Sequence, residues 1–511
     1  MLPPWLIMLW IVKLTAIGML ARKWFISRRQ QPKVLPLSPG TSTPRVCIQL
    51  PVFNEPENIG PLLDCIARMD WPDSCLEIQV LDDSDDTTSQ RAEARIRDLH
   101  HQRPGLRIVH LQRTERRGYK AGALNHGLQH SDAPYFAIFD CDFRPAPDFL
   151  RRIIPEIHSR PKAAAVQAVW TYSNAGTSML TSLQKTLLDY HFRGEQAGRF
   201  ARQLPFNFNG TAGVWRRTAL VEAGGWQAST VTEDLYLSYQ VQLGGWRLVF
   251  CPRILCLSEL PFRVRSFLIQ QRRWARGNGQ VLRLLAGRIL SSSRWTLRQK
   301  FDSLFHLSGY GMAGLLATAW LALPALIPLR AAWIESTHFA QPVRLVDMSL
   351  WLLVTALFFI VFGRRHIHGR RSLPVRLRRA LSLLLLAPGL SVLTLAAWVE
   401  GASGSGGARQ LVFNRTPKAL SGDNPDPADL ALTLLTAAFM GWCSALAAVS
   451  GLLILALMLA GHCLGALYLA LHDHLNPGPD PVPAPSPGIV STVPQRSFGT
   501  GAGFRHQENI K

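Results

Sequence analysis

Long apolar segments on both sides of a mixed, polar middle constrain this 511-residue chain more than any other feature. The apolar segments are residues 5–20, 307–329, 348–362, 430–449 and 452–471. A membrane-spanning helix needs roughly 20 predominantly apolar residues, and the 348–362 segment is somewhat short by that measure. In the first segment Lys13 is the one charge, and Arg22, Lys23, Arg28, Arg29 and Lys33 follow it. A cleaved signal peptide carries its positive charge before the apolar run; here the order is reversed. The segment therefore reads as a retained anchor with its N-terminus outside and its C-terminal side in the cytoplasm. Composition agrees: 48% hydrophobic and 17% charged residues are too apolar a mixture for an ordinary soluble enzyme.

Residues 45–260 are patterned differently. Short β-branched runs such as Val46-Cys47-Ile48-Gln49-Leu50 and Ile78-Gln79-Val80-Leu81 end in polar or acidic residues, and helical stretches (57–69, 88–99) lie between them. That alternation predicts an α/β domain, its parallel sheet flanked by helices and its ligand groups at the strand C-termini. Downstream, the run Gly363-Arg364-Arg365-His366-Ile367-His368-Gly369-Arg370-Arg371 is basic enough to be a cytoplasmic loop, and two crossings after a cytoplasmic domain return the chain to that side. Residues 380–399 are apolar but contain Pro388-Gly389. They could span, re-enter or lie along the interface, and the Pro-Gly pair weighs toward a non-spanning segment. The glycine-rich stretch 401–408 reads as loose, and the Pro-rich tail after 475 as disordered. The eight cysteines have no metal-ligand spacing and read as reduced. The formal charge of +21 comes with no nucleic-acid-binding signature; it suits anionic lipid and an anionic substrate such as a nucleotide diphosphate.

Four clusters carry chemistry. Asp82 and Asp83 close a strand, where carboxylates can accept hydrogen bonds from a base or ribose, although acids are also common helix caps. Asp140-Cys141-Asp142 follows the apolar run 135–139, and in extended chain side chains at i and i+2 share a side, so both carboxylates can reach one hard cation. Thr232-Glu233-Asp234 precedes a helical stretch at 235–242; an acid there could deprotonate a hydroxyl, while Thr232 also suits an N-cap. Gln270, Arg273 and Trp274 share one helix face, offering a bidentate cation for diphosphate and a flat ring for a sugar, on a stretch that also reads as a basic amphipathic helix.

In order, these form a D, DxD, TED and QxxRW series that resembles processive family 2 glycosyltransferases, the cellulose and hyaluronan synthases and their relatives. Pro51-Val52-Phe53-Asn54-Glu55 resembles the family's base-side turn, and Arg117-Gly118-Tyr119-Lys120-Ala121-Gly122-Ala123-Leu124 its diphosphate-side loop. Phe208 to Arg216 and Glu222 to Trp226 look like its acceptor-side segment, and Phe413-Asn414-Arg415-Thr416-Pro417-Lys418 resembles its gating loop. The phrasing looks closest to plant cellulose-synthase-like mannan and glucomannan synthases and bacterial relatives. The resemblance implies a GT-A-type nucleotide-sugar-binding domain inserted between transmembrane helices. Its expected organisation is an anchor at 1–27, a cytosolic catalytic domain at 40–262, interface helices at 263–300, a membrane region at 301–475 and a tail at 476–511. It assigns Pro51, Phe53, Glu55, Asp82, Asp83, Lys120 and Asp140 to the nucleotide-sugar, Asp142 with Asp140 to Mg2+ or Mn2+, and Asp234 with neighbouring Glu233 to base catalysis. Gln270, Arg273 and Trp274 would hold the acceptor end and the leaving diphosphate. The implied reaction is an inverting hexosyl transfer from UDP-glucose or GDP-mannose to a growing β-linked polysaccharide or, alternatively, to one membrane lipid. The implied setting is a bacterial inner membrane, with the catalytic domain in the cytoplasm.

Overall fold

The computed structural model describes residues 4–28, 43–322, 340–364, 372–405, 427–449 and 453–475. The Phe413 to Lys418 motif, the centre of the basic loop and the Pro-rich tail lie outside the described residues.

The middle of the chain builds one eight-stranded sheet of order β3-β2-β1-β4-β7-β6-β8-β5. Its strands are β1 (Val46–Val52), β2 (Leu76–Asp82), β3 (Arg107–Gln112), β4 (Tyr135–Ile138), β5 (Arg144–Pro145), β6 (Ala163–Tyr172), β7 (Gly213–Arg216) and β8 (Arg247–Ser258). The first four strands are mutually parallel, as the alternation predicts. Beyond them β7 runs antiparallel to both β4 and β6, and β5 antiparallel to β8, while β6 and β8 pair in parallel, so the sheet is mixed, with four of its seven strand pairings parallel.

Apolar side chains of α2 (Ile59–Ala67), α3 (Thr88–Gln102) and α5 (Phe149–His158) cover one face, with Ile59, Ile66, Ile153 and Ile157 fully buried. On the other face α4 (Tyr119–Gln129) packs over a buried glutamine pair, where Gln49 Nε2 donates to Gln79 Oε1 at 3.1 Å and to Leu124 O at 3.3 Å. The register places those glutamines side by side on β1 and β2, so that the Gln49 amide N–H and the Gln79 side-chain oxygen, each costly to bury alone, satisfy one another. Strand order reverses at β1, which β2 and β4 flank; a crevice at such a switch point is where α/β sheets bind ligands.

Further helices complete the molecule: α6 (Met179–Asp189), a π-helix (Tyr190–Gln196), α7 (Ala197–Ala201), α8 (Arg217–Glu222), α9 (Glu233–Leu243), α10 (Val264–Ser291), α11 (Leu297–Leu307) and α12 (Gly309–Ala322). α13 (Ala340–Phe362), α14 (Leu373–Ser403), α15 (Pro427–Val449) and α16 (Leu453–Leu475) follow, and α1 is Pro4–Ser27. Asp302 of α11 ties α1 to α7: Arg22 Nε donates to its Oδ1 at 3.0 Å, and the fully buried Arg199 meets its Oδ2 at 2.8 Å. α10 and α14 cross closely enough that a Cβ at Gly401 would overlap the Arg276 carbonyl, and one at Gly279 the Trp398 carbonyl. Arg276 pairs with Glu400 at the same crossing, with Nη2 2.7 Å from Oε2. The described start of the glycine-rich stretch is therefore helical and tightly packed, not loose.

The expected interruption at Pro388-Gly389 is a bend of 54° between Leu373–Leu386 and Gly389–Ser403; proline kinks a helix by removing a backbone bond. Among the described residues no single helix is long and apolar enough to cross a membrane, whereas the two halves of α14 together are. All eight cysteines are free, as expected.

Candidate active site

A cavity of about 180 Å³ opens over the C-terminal ends of β1, β2 and β4. Its wall beyond the ends of β1 and β2 contains Pro51, Phe53, Glu55 and Asp83. Asn54 stands at φ +54°, a left-handed conformation that asparagine tolerates. Its Nδ2 donates to Asp85 Oδ1 at 2.8 Å and its Oδ1 accepts from Asp85 N–H, joining the loops after β1 and β2. Asp83 is held bidentately by Arg113, with Nε 2.7 Å from Oδ1 and Nη2 2.5 Å from Oδ2. Arg113 also donates to the Arg117 and Tyr119 carbonyls, so the carboxylate fixes the loop that leads into α4. The Arg116 guanidinium lies over the Phe53 ring, 3.3 Å from its centroid.

Asp82 is placed otherwise. Its side chain is buried and is not on the cavity wall. Burial alone would disfavour its charge, but hydrogen bonds from His110, Ser89 and Ser84 outweigh that and hold its pKa down at about 2. Adjacent residues at a strand end point to opposite faces, so only one of the two aspartates can look into the crevice.

Lys120 enters from the first turn of α4. Its Nζ donates to Asp140 Oδ1 at 2.5 Å and to Gly210 O at 3.0 Å. Burial works against its charge, but Asp140, Glu233 and Asp234 together raise its pKa, so the ammonium persists. Asp140 and Asp142 both line the cavity, though not through strand alternation. β4 ends at Ile138, and a turn closed by Phe143 N–H on Asp140 O presents the two carboxylates while Cys141 is buried between them. Asp142 Oδ2 accepts from Ser258 Oγ at 2.6 Å. Among the described residues no three acidic, histidine or cysteine side chains converge on one point. Two carboxylates alone fit Mg2+ or Mn2+, which commonly take one or two carboxylates and complete their shell with water and substrate phosphates.

Glu233 and Asp234 reach the cavity from the start of α9. Thr232 makes no capping bond, and its hydroxyl is buried without a partner. The Asp234 carboxylate instead accepts from Leu235 N–H at 2.8 Å. Gly210 stands at φ +78°, and a Cβ there would lie 3.1 Å from Asp234 Oδ2, so the glycine leaves the acid room. Burial, then the charge of Glu233, push the pKa of Asp234 up to about 7, against Lys120, the Leu235 N–H and Arg273. Such a carboxylate accepts a proton more readily than an exposed one at neutral pH. Gln270, Arg273 and Trp274 close the cavity from α10.

The sequence reading did not single out Arg116, Trp170, Tyr172 and Ser258, which also line this space. Trp170 and Tyr172 end β6 and Ser258 ends β8, strands paired in parallel, and only that pairing shows their convergence. Asn209 lines it too, from within a motif already quoted.

Comparison with known proteins gives the same assignment. A model of "Glycosyl transferase family group 2" matches residues 135–399, and one of "Glycosyl transferase family 2" matches residues 47–222. The probable glucomannan 4-beta-mannosyltransferase 15 of Arabidopsis thaliana is 40% identical over 261 residues, covering 50% of this chain and 48% of that protein. Glucomannan 4-beta-mannosyltransferase 1 of Oryza sativa subsp. japonica is 40% identical over 271 residues, covering 52% of each. The chain thus spans about half the length of the curated relatives it matches. Among solved structures, a mannosyltransferase from Pyrobaculum calidifontis, in complex with GDP-Man and Mn2+, aligns at 21% identity and TM-score 0.47, over 72% of this chain and 99% of that one. With its GT-A-like α/β domain, this chain belongs to the family 2 glycosyltransferases, among the cellulose-synthase-like members.

Proposed function

We propose that this chain is a membrane-bound hexosyltransferase that extends a β-linked glycan from a nucleotide-sugar, with GDP-mannose as the favoured donor. The observation that carries the reading is convergence: Asp83, Asp140, Asp142, Asp234 and the Gln270 to Trp274 face meet on one cavity from four separate parts of the chain, the ends of β2 and β4, α9 and α10. The donor follows the relatives' names, which are those of mannosyltransferases.

In this reading Phe53, Asp83 and Arg116 hold the nucleoside, and Lys120 and Arg273 neutralise the diphosphate. Asp140 and Asp142 would hold a divalent ion, which when bound supplies charge stabilisation to the leaving diphosphate. The acceptor hydroxyl loses its proton to an Asp234 oxygen as its own oxygen bonds to the anomeric carbon. The bond from that carbon to the diphosphate breaks on the opposite face, so the configuration inverts and nucleoside diphosphate leaves. Membrane association is supported by large apolar side chains left exposed on several helices: Met8 and Ile11 on α1, Leu315 on α12, Leu352 on α13, Leu435 on α15, and Leu457 and Leu464 on α16.

The test is product analysis with purified protein given GDP-mannose or UDP-glucose. Polymer degraded by a linkage-specific glycanase supports the reading; a single glycolipid would replace the polymer with a lipid acceptor. Activity undiminished by a chelator would remove the metal.

A further inference from the structure

Four arginines from separate parts of the chain gather at the end of α1. Arg28 directly follows α1, Arg202 directly follows α7, Arg298 stands in the first turn of α11 and Arg364 lies just past α13. Arg202 Nη1 donates to Ile26 O at 3.0 Å and so fastens itself to the last turn of α1. Its guanidinium lies 4.6 Å from the centre of the Phe25 ring, and that of Arg298 lies 5.8 Å from the same ring. The Arg28 guanidinium stands 4.8 Å from the centre of the Trp24 ring. Burial, then the charges of Arg298 and Arg28, lower the pKa of Arg202, and burial, then Arg28, lower that of Arg364. Among the described residues none of the four is in an ion pair, whereas nearby acids are taken by other cations: Asp302 by Arg22 and Arg199, and Glu195 by Arg199. Like charges brought together without a counter-charge repel, and an anion bound among them offsets that.

The surface beside these charges is apolar. Phe25, Leu297 and Phe301 are 46%, 71% and 66% exposed. Leu297 and Phe301 are four residues apart and share one face of α11. A capping box of Thr296 and Gln299 starts that helix, so Leu297 and Arg298 are held in a formed first turn. Exposed aromatic and aliphatic side chains next to arginine are the makeup of a helix that lies in a membrane interface.

We infer that Arg28, Arg202, Arg298 and Arg364 form a site for the phosphate of an anionic membrane phospholipid, whose acyl chains cover the exposed apolar face beside them. A guanidinium suits this ligand because its fork donates two parallel hydrogen bonds to phosphate oxygens. The apolar face selects a lipid over a free anion, which needs the charges but not the rings. Under the proposed membrane attachment the location also fits. α1 and α13 pack on each other, and Arg28 and Arg364 stand where both leave their apolar runs. The positive residues after the first apolar segment put that end on the cytoplasmic side, where anionic headgroups attract basic side chains.

The inference rests on membrane attachment, and the experiment separates the two. Full-length protein is purified in an uncharged detergent and melted with phosphatidylglycerol, phosphatidylcholine or inorganic phosphate. Phosphatidylglycerol should raise Tm by about 3 °C near saturation, with the other two leaving it within about 1 °C. Arg28→Gln combined with Arg298→Gln removes two exposed charges and keeps most of each side-chain stem. That variant should bind phosphatidylglycerol about tenfold more weakly by native mass spectrometry, while its lipid-free Tm stays within about 1 °C. The matching pair of lysine substitutions should restore most of the binding. Equal shifts from both lipids would show an apolar surface with no headgroup site, and a shift from inorganic phosphate would show a soluble-anion site; either overturns the inference. So does unchanged phosphatidylglycerol binding in the glutamine variant. Release from membranes by alkaline carbonate would overturn the attachment and the lipid site with it, whereas retention without preference for phosphatidylglycerol overturns the site alone.

Discussion

Asp234 shows how much one side chain's chemistry depends on what surrounds it. Burial and Glu233 lift its pKa to about 7, so transfer should fall as pH drops through that range and the base becomes protonated. Glu233→Gln removes one of the two raising causes and should move this acid limb of the pH profile to lower pH. Asp234→Asn should lower the transfer rate about a thousandfold while nucleotide binding survives. The same variant has a second readout. A carboxylate whose folded pKa is raised contributes stability below its unfolded pKa that is lost as pH rises through the folded value, so Asp234→Asn should melt above wild type at pH 8. On the nucleotide side, Arg113 holds both oxygens of Asp83 together with the loop leading to Lys120. Arg113→Ala should raise the donor KM about tenfold with little change in kcat, measured by initial rates at saturating acceptor.

Among the elements, α10 carries the Gln270 to Trp274 face, and distant parts of the chain set its position. Asp473 of α16 accepts from the Val264 and Arg265 backbone N–H groups at 2.8 and 3.2 Å, capping the helix from 209 residues away. His472 approaches Phe262 O at 3.2 Å beside it. At the other end of the active face, Gln280 Oε1 accepts from Val231 N–H at 2.9 Å, just before the Glu233 to Asp234 turn. Asp473→Ala should therefore lower kcat about three- to tenfold, as loss of a helix cap worth about 1 kcal/mol frays the first turn, while Asp473→Asn retains most activity. Equal activity in both variants would mean that α16 merely covers the helix.

For the whole molecule, the proposal predicts that the protein stays in the membrane fraction after alkaline carbonate extraction; release into the supernatant would make α1 and α12 to α16 a packed soluble assembly. The bent α14 sits at the centre of those helices, against α10, α12 and α16. By itself the sequence determined the order of apolar and mixed segments, the strand-and-helix alternation of residues 46–82 and the motif series, because burial periodicity and short acidic turns are local properties. It could not tell Asp82 from Asp83, because which side of a strand end faces a crevice depends on the neighbouring strands. It could not show that a turn, not an extended strand, presents Asp140 and Asp142. Trp170 and Ser258 come from strand pairing, and the cap on α10 from a residue near the far end of the chain. Those features were decided only by the tertiary structure, since each is a contact between residues whose spacing in the sequence carries no period.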